Sequence, residues 1–220
     1  MNQSEGPQES EGLSLKRPQP AGLRLWHWAN ALVVLGLLVT VLLRKTFFSW
    51  RTNAAMIEAK AHAAGVTVPA DMAKSIAQSI RDVMWEWHHV LGVTLGVLLV
   101  LRVGVVLVTK RYPLRDALRG FRAASLASGD DKAEKRHFAI VSAGYVAFYL
   151  STLFMVATGL TMLNATRLGL SRGTTSSIQE LHETMLWFFI VFIGVHLVGV
   201  VRGELTKYRG IVSDMIHGGR

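Results

Sequence analysis

Residues 181–199 read LHETMLWFFIVFIGVHLVG, an apolar run interrupted by two histidines. A bilayer hydrocarbon core of about 30 Å is crossed by roughly 20 such residues, so this stretch reads as a spanning helix. Ionisable groups in such a helix are costly and mark function by default. His182 and His196 lie fourteen residues apart. At 1.5 Å and 100° per residue they are separated by about 21 Å along the axis and return to within roughly 40° of one direction. The two imidazoles therefore leave one face of one helix in opposite leaflets.

Working outward, three further windows have the length and apolarity of spans: Leu25–Leu43, Trp87–Val108 and Phe138–Leu163, with the fourth at His182–Val201. Half of the 220 residues are hydrophobic, too many for an ordinary soluble domain. The expectation is an all-α integral membrane protein whose four spans put both termini on one side. With the N-terminus cytoplasmic, fifteen Lys and Arg residues fall inside and eight outside. This bias fits the positive-inside rule, although Arg44 and Lys45 run against it. The net charge of +9 is thus read as topology, and no aromatic-interleaved basic face points to nucleic acid.

The chain contains no cysteine, which excludes disulfides, thiolate iron–sulfur clusters, zinc–cysteine sites and covalently attached c-type haem. Residues 1–21 are rich in Gln, Glu, Ser, Gly and Pro and read as a disordered cytoplasmic tail. Residues 22–220 form the membrane domain. Its segment 44–86 is a long periplasmic insertion in which two helix-favouring runs, Thr52–Ala64 and Ala70–Val83, flank the breaker GVTVP, giving a helical hairpin lying on the outer surface. That hairpin serves as a cap or as a docking face. Between the second and third spans, Lys110–Arg136 reads as a basic segment held at the membrane surface.

Of eight histidines, His27, His88, His89, His182 and His196 fall in spans. Span direction sorts them by depth: His27 faces His196 in the inner leaflet, and His88 or His89 faces His182 in the outer one. Imidazoles paired across a helical bundle suit six-coordinate haem iron, which takes four nitrogens from the porphyrin and two from the protein. Zinc would require a tetrahedral cluster at one depth. Gly92 and Gly96, four and eight residues after His88, share its face and leave room for a flat cofactor, which favours His88 over His89. Arg102 lies fourteen residues after His88 on the same face, where a guanidinium suits a haem propionate. The expected iron ligands are therefore His27 with His196 and His88 with His182, and no catalytic side chain is assigned.

The stretches RLWHWANALVV, HHVLGVTLGVLLVLRV, ATGLTML and LHETMLWFFIVFIGVH, with the tail RGELTKYRGIVSDMIHGG, resemble the prokaryotic dihaem b-type cytochromes. These include the cytochrome b subunit of nickel–iron hydrogenases and bacterial cytochrome b561. The resemblance covers residues from about 22 to 220. It implies a four-helix bundle in the bacterial inner (cytoplasmic) membrane, with two b haems ligated by the first, second and fourth spans. It further implies transmembrane electron transfer between a periplasmic redox protein and a quinone, menaquinone or ubiquinone, near the inner haem. Arg24, Trp28 and Asn30 are candidate quinone contacts. Two rival readings are a stand-alone superoxide:quinone oxidoreductase, its anion drawn by residues such as Arg81, and a haem-free membrane anchor. Oligomers are compatible with either.

Overall fold

The computed structural model describes residues 20–109, 113–126, 130–206 and 209–218. The expected disordered tail falls almost wholly outside them. The described residues form helices and no strand: α1 (Ala21–Lys45), α2 (Trp50–Ala63), α3 (Ala70–Thr109), α4 (Pro113–Leu126), α5 (Asp130–Leu163), α6 (Arg172–Leu205) and α7 (Ile211–His217). Four of them, α1, α3, α5 from Lys135 and α6, are long and apolar enough to cross a membrane. Their outward side chains are large and apolar, as at Leu32, Val100 and Val195. Such surfaces suit lipid, in which every backbone polar group must be satisfied within the helix.

The chain divides into two compact units, residues 29–189 and residues 1–28 with 190–220. In the larger unit the spans meet through small residues. A Cβ on Gly36 of α1 would approach Leu91 of α3 to 3.0 Å, and one on Gly96 of α3 would approach Val156 of α5 to 3.1 Å. Small residues allow this approach where no water-driven hydrophobic effect pulls helices together. Phe148 of α5 meets Phe189 of α6 edge to face, with ring centroids 5.9 Å apart. Arg102 of α3 donates from Nε to the Tyr149 hydroxyl of α5 at 3.0 Å.

The insertion is helical, and its second helix is continuous with the second span. No glycine or proline interrupts the chain between Ala70 and Trp87, so α3 runs for 40 residues. That is about 60 Å, twice the hydrocarbon thickness. Rather than lying flat, the hairpin therefore prolongs a span beyond the membrane. Its small core is Ala54 of α2 against Ala73 and Ala77 of α3, roofed by Trp50, Ile57 and Val68. Gly65, at φ 75°, makes the turn that a side chain would resist.

The segment between the second and third spans is helical where it is described. It contains α4, and α5 starts at Asp130, eight residues before the expected span. Gly120 of α4 sits against Phe138 and Ala139 of α5, so close that a Cβ would meet Ala139 at 3.2 Å. Arg115, Arg119 and Arg122 recur at helical spacing and share another face.

In the smaller unit α7 is strapped to the start of α1. Arg24 Nη1 donates to the Ile216 carbonyl at 2.8 Å, and Trp28 Nε1 donates to the Met215 carbonyl at 3.1 Å. The Glu204 carboxylate accepts the backbone N–H groups of Gly210 and Val212 at 3.0 and 3.1 Å, which fixes the turn into α7. Gly218, at φ 84°, ends the strap against Arg24.

Candidate haem-binding site

Each unit holds one pair of histidines. In the smaller, His27 of α1 and His196 of α6 have ring centroids 6.2 Å apart. In the larger, His88 of α3 and His182 of α6 have centroids 6.4 Å apart. His88, not His89, is the ring brought to His182; His89 packs against Trp85 at 5.8 Å. Among the described residues no group of three or more His, Cys, Asp or Glu side chains gathers to hold a metal. The spacing of the pairs has a simple meaning. Two metal–nitrogen bonds of about 2 Å made to a single ion would hold imidazole centroids about 6 Å apart.

The two pairs are held differently. His88 Nδ1 lies 2.8 Å from the Thr40 hydroxyl on α1, and His182 Nδ1 lies 2.8 Å from the Thr158 hydroxyl on α5. Trp85 stacks on His88 at 4.9 Å and 22°. The Arg44 guanidinium covers the same indole at 4.8 Å. A cation over an aromatic face is stabilised by the ring quadrupole, which gives Arg44 a local use despite its place against the charge bias. A Cβ on Gly159 would meet His182 Cε1 at 3.6 Å, while Gly92 faces open space. Gly96 is the exception to the expected flat-cofactor face, since Val156 fills its surroundings.

In the smaller unit the rings are bounded by aromatics. Trp28 meets His27 edge to face at 5.5 Å, and Phe192 lies parallel to His196 at 6.2 Å. Arg24 precedes His27 by one helical turn, and its Nε is buried without a hydrogen-bond partner. A buried donor of this kind costs about 1–3 kcal/mol unless something accepts from it. Of the candidate quinone contacts, Arg24 and Trp28 hold α7, and Asn30 is buried in the larger unit.

A family model described as prokaryotic cytochrome b561 matches residues 19–218. The chain belongs to the prokaryotic cytochrome b561 family. A curated relative from Cupriavidus necator, named "Probable Ni/Fe-hydrogenase B-type cytochrome subunit", is 26% identical over 88 residues, covering 34% of this chain and 36% of the relative. The match thus spans about a third of that relative's length. No solved structure matches. As a cytochrome b561 family member with four membrane-crossing helices, the protein is a multi-pass protein of the bacterial inner membrane. It binds b-type haem and takes part in electron transfer.

The residues present fit that cofactor. Each pair brings two imidazoles close enough, at 6.2 and 6.4 Å between ring centroids, that both would reach one iron, and no cysteine competes for it. The Arg24 Nε–H, without a partner, has the chemistry to donate to a propionate carboxylate. Threonines 40 and 158, Trp85 and Phe192 escaped the sequence reading, although a hydroxyl at histidine depth within a span is a detectable signal.

Proposed function

We propose that the protein conducts electrons across the inner membrane through two b haems, one between His27 and His196 and one between His88 and His182. The equal ring spacing of the two pairs, 6.2 and 6.4 Å, is the observation that carries this reading. Bound there, haem supplies one-electron chemistry that no side chain of this protein has. Arg24 and Arg102 are assigned to propionate carboxylates, with Tyr149 orienting the Arg102 guanidinium.

A periplasmic redox protein exchanges electrons at the His88–His182 side, and a quinone, menaquinone or ubiquinone, does so at the cytoplasmic His27–His196 side. The named hydrogenase relative supports the first exchange, and the excess of basic residues on the N-terminal side supports the orientation. Inward electron movement opposes the membrane potential by about 2.3 kcal/mol per 100 mV, so quinone reduction with cytoplasmic protons conserves energy. The superoxide reading named Arg81 among its cations, and Arg81 is paired with Asp82 at 2.7 Å.

The test is a reduced-minus-oxidised spectrum of the purified protein with extracted haem counted per chain. Two low-spin b haems are expected. A count of one, or retention of both haems after alanine replaces His88, would overturn the assignment.

A further inference from the structure

The hydrogen bonds around His88 and His182 fix more than ring position. The Thr40 hydroxyl lies 2.7 Å from the Leu37 carbonyl, and the Thr158 hydroxyl lies 2.7 Å from the Phe154 carbonyl. A carbonyl can only accept, so each threonine's single proton is committed to its own helix. The same oxygen is 2.8 Å from the imidazole Nδ1 and can then only accept from it. Nδ1 must carry the ring proton in both histidines. Nε2 is left with the lone pair, the form that binds metal.

The two arrangements match although they come from different helices. Thr40 on α1 serves His88 on α3, and Thr158 on α5 serves His182 on α6. Helix α5 contributes no paired histidine, yet it supplies one of the two hydroxyls. Among the described residues no hydroxyl stands at His27 or His196, whose rings meet Trp28 and Phe192 instead.

We infer that Thr40 and Thr158 are matched positioning residues that lock His88 and His182 as Nε2 ligands and lower the reduction potential of the iron between them. This rests on the haem assignment above. A hydrogen bond from Nδ1–H to an acceptor raises the basicity of Nε2, as outer partners of metal-bound histidines do. A more basic axial nitrogen stabilises ferric over ferrous iron, so the threonine-held site is lower in potential than it would be without the bonds. The pair lacking such hydroxyls receives no equivalent shift.

The test uses the full-length protein in detergent with Thr40→Val and Thr158→Val, which keep the side-chain shape and remove the hydroxyl, and with Thr40→Ser and Thr158→Ser, which keep the hydroxyl. Redox titration at the haem α-band and low-spin ferric EPR are the readouts. In each valine variant one midpoint moves upward and one set of g values changes, while the other haem is untouched. The double valine variant moves the same midpoint further, and serine restores it. Haem loss to an excess of scavenger at that site quickens by about tenfold in the valine variants. Two unmoved midpoints with both haems retained, or equal movement of both, would overturn the inference. If valine expels the haem, serine decides: recovery of haem and midpoint supports the inference, and continued loss sinks it. The haem assignment itself fails separately, at a wild-type count other than two.

Discussion

His27–His196 and His88–His182 have almost the same ring spacing and both meet aromatic rings, yet the second pair is also held by threonine hydroxyls. Spacing and surroundings therefore answer to different demands. In the two-haem reading proposed above, the spacing answers to the iron, which is common to both pairs. The surroundings set the basicity of those nitrogens and the packing about them, where the pairs diverge. An aromatic wall excludes water and orients a ring without accepting its proton; a hydroxyl fixes the proton as well.

Removal of a ligand should produce the largest effect. Alanine at His88 or His182 is expected to delete one haem, and alanine at His27 or His196 the other, each leaving about half of the extracted haem. His89→Ala should retain both, since its ring packs on Trp85 rather than facing His182. Loss of both haems from any single variant would show that the pairs are not independent sites. Next come the threonine variants, which shift one midpoint and leave the other.

A smaller, opposite selectivity is expected from Gly218→Val. The residue has φ 84° and its added Cβ would come within 2.9 Å of the Arg24 guanidinium. Backbone strain alone costs about 1–2 kcal/mol. Thermal release of the His27–His196 haem should occur earlier, with the other haem unchanged; equal sensitivity of both would show that the α7 strap does not serve one pair. Phe192→Ala removes the ring parallel to His196 and should cost about 1 kcal/mol at that site, visible as a modest fall in its haem-release temperature. Arg81→Ala should change neither spectrum nor potential and cost under about 1 kcal/mol, because exposed ion pairs contribute little. A large change in superoxide-driven haem reduction in that variant would revive the rival reading.

Much of this was legible in the sequence because spans have a fixed length and histidines in lipid are conspicuous. Depth along each span was enough to pair His27 with His196 and a residue of the His88–His89 dipeptide with His182. Thr158 lies within ATGLTML, and nothing in that stretch marks it as a histidine partner. Its partner lies 24 residues away on another helix, and no spacing rule connects them. The continuity of α3 was readable from the absence of Gly and Pro between Ala70 and Trp87, but alanine-rich surface helices and span extensions share that composition. Arg24 and Trp28 stand beside His27 in the sequence, and nothing there marks them as partners of α7. Their bonds to the Met215 and Ile216 carbonyls depend on a return of the chain over nearly its whole length.

That return has a consequence for biogenesis. Residues 29–189 make one unit from continuous chain, whereas residues 20–28 cluster with residues 190–218 from the other end of the sequence. During synthesis His88 and His182 can meet once α6 has begun to emerge. His27 must wait for His196 and then for the α7 strap. In synthesis order, therefore, the residue that His27 meets is made after those that His88 meets.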